Sequence, residues 1–470
     1  MVNLFGKIYK YKVLILFSPI WINFIFNLFF NLDFLELDLK QISLKLLTIT
    51  LLSIAFYLIG SSIKNVLNFD SVSLSIVFYI ITFYIVNYYL LFFLQGISTR
   101  YLFVAYQFIL IILLISRSRS TFKPLLMAAF LLFSLNYIFK YFQIYEILYF
   151  EDFKSSDEIR FWYPKSELIA ENNLLQIYTG YSQFDNKSFG LLVHYSFVFL
   201  EMFFNFEQNY LFTQIVPNLI FVLFTYFLFE NFKYSLNRLY LYLTVVIIYL
   251  TSDWFSYFML NSHLGETFST FFYGVLFFSL LKNKDNKRLS FIYLFFLSNL
   301  IYTKRFMLSL VIISIITYLF LNRKYLYQKF LIIASVLLPI IVNFLFLEVP
   351  ILWTIDSEPM AGTQFEGVNF NFESIVKILN QFTIDKPVSY FVFASLIIII
   401  FSLKSFDLSD RAVFIVLFLN TIFVFLYFFI VSDLNDAWGD AYRYLLNPFY
   451  LFLFFTNKII DFGEKPKETL

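Results

Sequence analysis

Two adjacent carboxylates, Asp157 and Glu158, open the polar segment SSDEIRFWYPKSELIAENN, and two adjacent cations, Lys304 and Arg305, interrupt the apolar run YTKRFMLSLVIIS. A carboxylate at the mouth of a polar cavity can take a proton from a hydroxyl. Paired ammonium and guanidinium groups in a partly water-excluded site can hold a phosphate. Glu266 stands near the head of another apolar run, NSHLGETFSTFFYGVLFF, beside His263, a candidate proton shuttle, and Gly265, which permits close approach of a ligand or helix. Arg160, Lys165, Asp185, Asp253 and Arg443 also lie near the ends of apolar runs. Each residue has a plainer reading: a solvated or snorkelling charge, a helix-capping acid for Asp157, a tight turn for Lys304 and Arg305, or neutralisation of Arg443 by Asp436 and Asp440. His194, inside LLVHYSFVF, reads as a satisfied interior histidine.

Other chemistries lack support. With Cys 0 and His 2, thiolate and His-rich metal sites, cysteine nucleophiles and disulfides are excluded. A divalent ion is compatible with the Asp157/Glu158 pair, but no resident cofactor is expected. Neither a Gly-rich phosphate loop nor a G-x-S-x-G elbow is present.

The elements that would position these residues read as membrane helices. Hydrophobic residues make up 60% of the chain and charged residues 14%, with a mean hydropathy of +0.76, a composition that points to a polytopic membrane protein. The 70 Phe and 35 Tyr fit an A+T-rich codon bias. A net charge of +2 without a basic domain argues against nucleic-acid binding. Apolar runs lie near 11–30, 44–62, 73–95, 100–116, 124–149, 188–206, 209–230, 238–258, 264–281, 289–303, 306–321, 326–347, 388–403, 412–432 and 442–458. The first is too long for a signal-peptide core and reads as an anchor.

Charge sets the orientation, because short basic loops face the cytoplasm. Lys7, Lys10 and Lys12, then Arg117, Arg119 and Lys123, fall inside, which puts the loop after residue 150 outside. Lys282 to Arg288, Arg323 to Lys329, Lys404 to Arg411 and Lys458 to Lys467 also fall inside. The two counts differ by one crossing near Lys233 and Arg238, so 188–206 and 209–230 are expected to make one net crossing, one of them short or re-entrant; the alternative places Lys233 and Arg238 outside and breaks the charge rule once. The expected fold is all-α, a polytopic transmembrane helical bundle of about 14 crossings. Its first large extracytoplasmic loop carries an amphipathic juxtamembrane helix anchored by Phe161, Trp162 and Tyr163. Residues 1–123 form a block of about four spans, and 124–470 form the core, with outer loops at 150–187, 349–387 and 433–441. This topology gathers the candidate residues on the outer face, where grouped charges suggest a shared polar cavity.

Four pieces, DEIRFWYPKSELIAEN at 157–172, HLGETFSTFFYGVLFF at 263–278, YTKRFMLSL at 302–310 and RYLLNPFYLFLFF at 443–455, occur in an order that resembles the GT-C superfamily of polytopic glycosyltransferases. These use polyprenyl-phosphate-linked sugars and include protein O-mannosyltransferases and aminoarabinose transferases. The resemblance implies an inverting transferase that moves a sugar from a polyprenyl-phosphate carrier to a glycan, lipid or protein acceptor. Asp157 would be its base, Glu158 the neighbouring acid, Glu266 a second acid, and Lys304 with Arg305 the phosphate clamp. Arg160, Lys165, Asp185, His263 and Arg443 would bind substrate. The chain departs from the family at YSQFDNKSFG, which lacks the usual Pro, in the use of Glu266 for an Asp, and in the N-terminal block. The implied location is a bacterial inner (plasma) membrane with the site facing outward. A transporter or flippase of lipid-linked glycan, which would carry mid-membrane charges and two related halves, and a glycan polymerase or ligase are the alternatives.

Overall fold

In the computed structural model the described residues are 39–90, 97–141, 265–283, 286–302, 305–321, 386–403 and 406–430, with isolated helical positions between 219 and 243, between 330 and 341, and at 376, 380, 451 and 455. The chain divides into two compact units, Met1–Phe227 with Met259–Val275, and Leu228–Phe258 with Leu276–Leu470.

The first unit contains α1 (Leu39–Leu67), α2 (Val72–Leu90), α3 (Thr99–Arg117) and α4 (Phe122–Tyr141). α1 stops at Asn68, whose left-handed backbone (φ 55°) lets the Phe69 N–H reach back to the Lys64 carbonyl at 3.2 Å. That is a helix-ending geometry in which Asn is the usual substitute for Gly. Ser71 then starts α2, its Oγ accepting the Leu74 N–H at 3.0 Å. Gly60 lets the two helices of this hairpin meet closely: a Cβ there would lie 2.7 Å from Ile76 Cγ1 and 2.9 Å from Val72 Cγ1. Contacts of this kind matter in an apolar medium, where packing rather than exclusion of water joins helices.

α2 and α3 run antiparallel. Tyr79 stacks on Tyr106 at 5.9 Å, and one turn further along α2, Phe83 meets Phe103 edge-on at 5.5 Å. Ser98 caps α3 by accepting the Arg100 N–H at 3.3 Å. α4 follows after a single 3-10 turn, Arg119–Thr121, and packs chiefly on α1. The faces of α4 divide cleanly. Leu125, Ala128, Leu132 and Leu135 are buried, whereas Phe122, Leu126, Phe130, Phe133 and Tyr137 are exposed.

α5 (Gly265–Lys282) begins in the first unit and passes into the second at Val275. The second unit also contains α6 (Lys287–Asn299), a 3-10 turn at Leu300–Tyr302, α7 (Arg305–Leu321), α8 (Lys386–Ser402) and α9 (Leu408–Ile430). Asn286 caps α6 by accepting the Leu289 N–H at 3.2 Å. Asp407 does the same for α9, accepting the Asp410 N–H at 2.7 Å. α7 packs on α9, where the Ser309 hydroxyl donates to Asn420 Oδ1 at 2.8 Å.

The expectation of a bundle with about 14 crossings is corrected by these helices. Among the described residues, two helical segments are long and apolar enough to cross a membrane, Leu47–Leu67 of α1 (21 residues) and Thr99–Arg117, which is α3 (19 residues). Five other apolar segments, Val72–Asn87, Phe271–Lys282, Leu289–Asn299, Ser309–Leu321 and Phe393–Ser402, are shorter, at 10–17 residues. The physical reason is that hydropathy registers apolarity without telling protein from lipid. α2 has Leu74, Ile76, Val77, Tyr79, Ile80, Ile81 and Phe83 all buried, and α5 has Phe271 to Phe277 buried with Gly274 among them. A helix enclosed by protein is apolar all round, as a membrane span is. In the runs at 73–95, 264–281 and 289–303, the apolar segments among the described residues are Val72–Asn87, Phe271–Lys282 and Leu289–Asn299, each shorter than a crossing needs.

Candidate functional site

Two of the sequence candidates fall on described backbone. Glu266 is the second residue of α5. Arg305 is the first residue of α7. The two belong to different compact units. Asp157, Glu158, Arg160, Lys165, Asp185, His263, Lys304 and Arg443 lie outside the described residues, as do Asp253, His194, the expected juxtamembrane helix and the loops 150–187 and 433–441. In the loop 349–387, the described positions are 376, 380, 386 and 387.

The described helices instead expose a polar seam that sequence reasoning missed. The Tyr79 hydroxyl of α2 donates to Gln107 Oε1 of α3, and the Tyr106 hydroxyl donates to the Tyr79 carbonyl at 2.9 Å. Two turns along α2 from Tyr79, Asn87 is 1% exposed, yet neither its Oδ1 nor its Nδ2 finds a hydrogen-bond partner. Gln107 Nε2 and Thr82 Oγ1 are also unsatisfied. Each such group costs about 1–3 kcal/mol in an apolar interior, so a run of them on two packed helices marks a place where hydration or a polar contact matters. The sequence signal was the spacing Tyr79, Thr82, Asn87 on a largely apolar helix, with Gln107 on the next. That spacing does not reveal which side faces a neighbour.

In the second unit a similar pattern occurs between α7 and α9. Asn420 is 0% exposed; its Oδ1 accepts from Ser309 while its Nδ2 has no partner. Other hydroxyls in these helices turn back on their own backbone: Ser298 onto the Leu294 carbonyl at 2.7 Å, Ser314 onto Leu310 at 2.7 Å and Thr421 onto Leu417 at 2.8 Å. Back-bonding of this sort satisfies a hydroxyl inside an apolar helix without a neighbour.

At the end of α3 the geometry is different, because charge is exposed there. The Ser118 N–H closes the helix on the Leu114 carbonyl at 3.0 Å. Thr121, 1% exposed, donates to the Leu114 and Ser118 carbonyls at 3.2 and 2.7 Å. Arg117, Arg119 and Lys123 project from this fixed turn and are all exposed.

No set of three or more His, Asp or Glu side chains that could hold a metal ion occurs among the described residues. The reading as an inverting GT-C glycosyltransferase of the cell envelope is corrected along with the fold on which it depended. That family is defined by a many-span membrane core, and the described residues supply two helices of crossing length. The flippase and polymerase readings presupposed the same core. Comparison with protein families, with curated proteins and with solved structures finds no match for this chain.

Proposed function

We propose that this chain is an integral membrane protein of the plasma membrane that binds an amphiphilic lipid phosphate, with the turn at 117–123 on the cytoplasmic side. The observation that carries the membrane assignment is the surface of α3. Along α3 the buried residues are Thr99, Phe103 and Leu114, while Tyr101, Val104, Phe108 and Ile112 are 74%, 64%, 66% and 50% exposed. A soluble protein's core helix would be buried, and so continuous an apolar surface calls for contact with lipid or another protein. A 19-residue helix is about 28 Å long, close to the hydrocarbon thickness of about 30 Å. The basic turn at its C-terminal end gives the orientation by the positive-inside rule.

The proposed partner is a polyprenyl-phosphate-linked sugar or a lipid of the same phosphate chemistry. Its support is the sequence, in which Lys304 and Arg305 are adjacent cations of the kind that hold a phosphate. Two measurements on the full chain test the reading. After alkaline carbonate extraction the protein is expected to stay with the membrane pellet; release into the supernatant would overturn the membrane assignment. A photoreactive polyprenyl phosphate is expected to crosslink to the wild-type chain and to lose most of that labelling in the Lys304→Gln, Arg305→Gln variant. Undiminished labelling would remove the partner while leaving the membrane assignment standing.

A further inference from the structure

We infer that the end of the first unit formed by the α1–α2 and α3–α4 turns is a binding site for anionic phospholipid, with Arg117, Arg119 and Lys123 holding the headgroup phosphate. The inference rests on the membrane reading above. Its first support is register. Because Tyr79 lies against Tyr106 and Phe83 against Phe103, the N-terminal end of α2 and the C-terminal end of α3 are at the same end of the helix set. Lys64, in the last turn of α1, therefore belongs to the same end as the 117–123 turn. Its second support is charge: Asp70 is the sole acidic residue in 39–90 and 97–141. The cations outnumber it at this end, and the side chains of Arg117, Arg119 and Lys123 have no interaction partner among the described residues.

The third support identifies the occupant. The basic turn is continuous with apolar surface, since Leu113, Phe122 and Leu126 beside it are 54%, 53% and 58% exposed. An acidic peptide would meet the cations but leave these side chains against water. A phospholipid meets both, its phosphate at the guanidinium and ammonium groups and its acyl chains along α3 and α4. The hydrogen bonds of Ser118 and Thr121 hold the backbone of the turn in place, so lipid binding has only the basic side chains to order.

The test uses the full chain in nanodiscs with an environment-sensitive fluorophore on Phe122→Cys, the chain having Cys 0. Quenching by chain-brominated phosphatidylglycerol is compared with quenching by chain-brominated phosphatidylcholine. The expected result is a preference for the anionic lipid of about fivefold or more, reduced by salt and abolished in the triple variant Arg117→Gln, Arg119→Gln, Lys123→Gln. Retained quenching by the zwitterionic lipid shows that this variant is still inserted. Equal quenching by both lipids in the wild type, or an undiminished preference in the variant, overturns the inference while the membrane reading stands. Loss of the preference on adding inorganic phosphate at constant ionic strength also overturns it, in favour of a free-phosphate site. Absence of quenching by either lipid overturns both readings together.

Discussion

Gly60 and the Ser309–Asn420 pair show how single residues set the packing of helices that are apolar throughout. At Gly60 even a methyl group would come within 2.7 Å of Ile76 Cγ1 and 3.0 Å of the Val72 carbonyl oxygen, and the backbone atom cannot move aside as a side chain can. Gly60→Ala is expected to destabilise the α1–α2 hairpin by about 1–3 kcal/mol, read as a lower unfolding midpoint in a denaturing-detergent titration; an unchanged midpoint would show that the helices do not meet there. The Ser309 hydroxyl is the one hydrogen-bond partner that Asn420 has among the described residues. Ser309→Ala should therefore cost about 1 kcal/mol by leaving the buried amide bare. Combining it with Asn420→Leu removes the amide as well and should recover most of the loss. A double variant weaker than Ser309→Ala alone would contradict this picture. Asn87, which carries two unsatisfied polar atoms, is expected to tolerate Asn87→Leu with unchanged or raised stability, measured in the same titration.

At the scale of elements, the ends of helices are written in short-range chemistry, carried by residue types that sequence reasoning did not single out. The Asn68-to-Ser71 turn, the Ser98 start of α3 and the Asn286 start of α6 use residue types that favour turns and caps. Asn68→Val should lower stability by about 1–2 kcal/mol because a β-branched side chain opposes the left-handed backbone, whereas Asn68→Gly should retain it; equal midpoints for the two variants would mean that the turn does not need this conformation. What was not legible is which medium surrounds each apolar helix. α2, α3 and α4 all read as spans, yet α2 is enclosed by protein while α3 and α4 keep one face open. Periodicity fails here because helices without a polar face carry no contrast between inside and outside. The polar seam from Tyr79 to Asn87 was unreadable for the same reason. Most of the candidate site residues named from the sequence, Asp157 and Lys304 among them, lie outside the described residues.

For the whole molecule, the account depends on α3 lying in a bilayer with its exposed face toward lipid and its basic turn at the headgroups. Reading nearly every apolar run as a crossing gave a bundle of about 14 spans, on which the transferase implied by the GT-C resemblance depended; among the described residues, two segments have crossing length. The exposed face of α3 is one membrane signature that remains, beside the crossing-length segment Leu47–Leu67 of α1, and that face can be examined at single residues because the chain has Cys 0. The most direct measurement is spin-label accessibility in nanodiscs, with labels placed one at a time on Phe108→Cys in mid-helix and Ser120→Cys in the turn. The account predicts that the label at 108 collides with oxygen and is shielded from a water-soluble nickel chelate, while the label at 120 is open to the chelate. A label at 108 as open to the chelate as the one at 120 would contradict it.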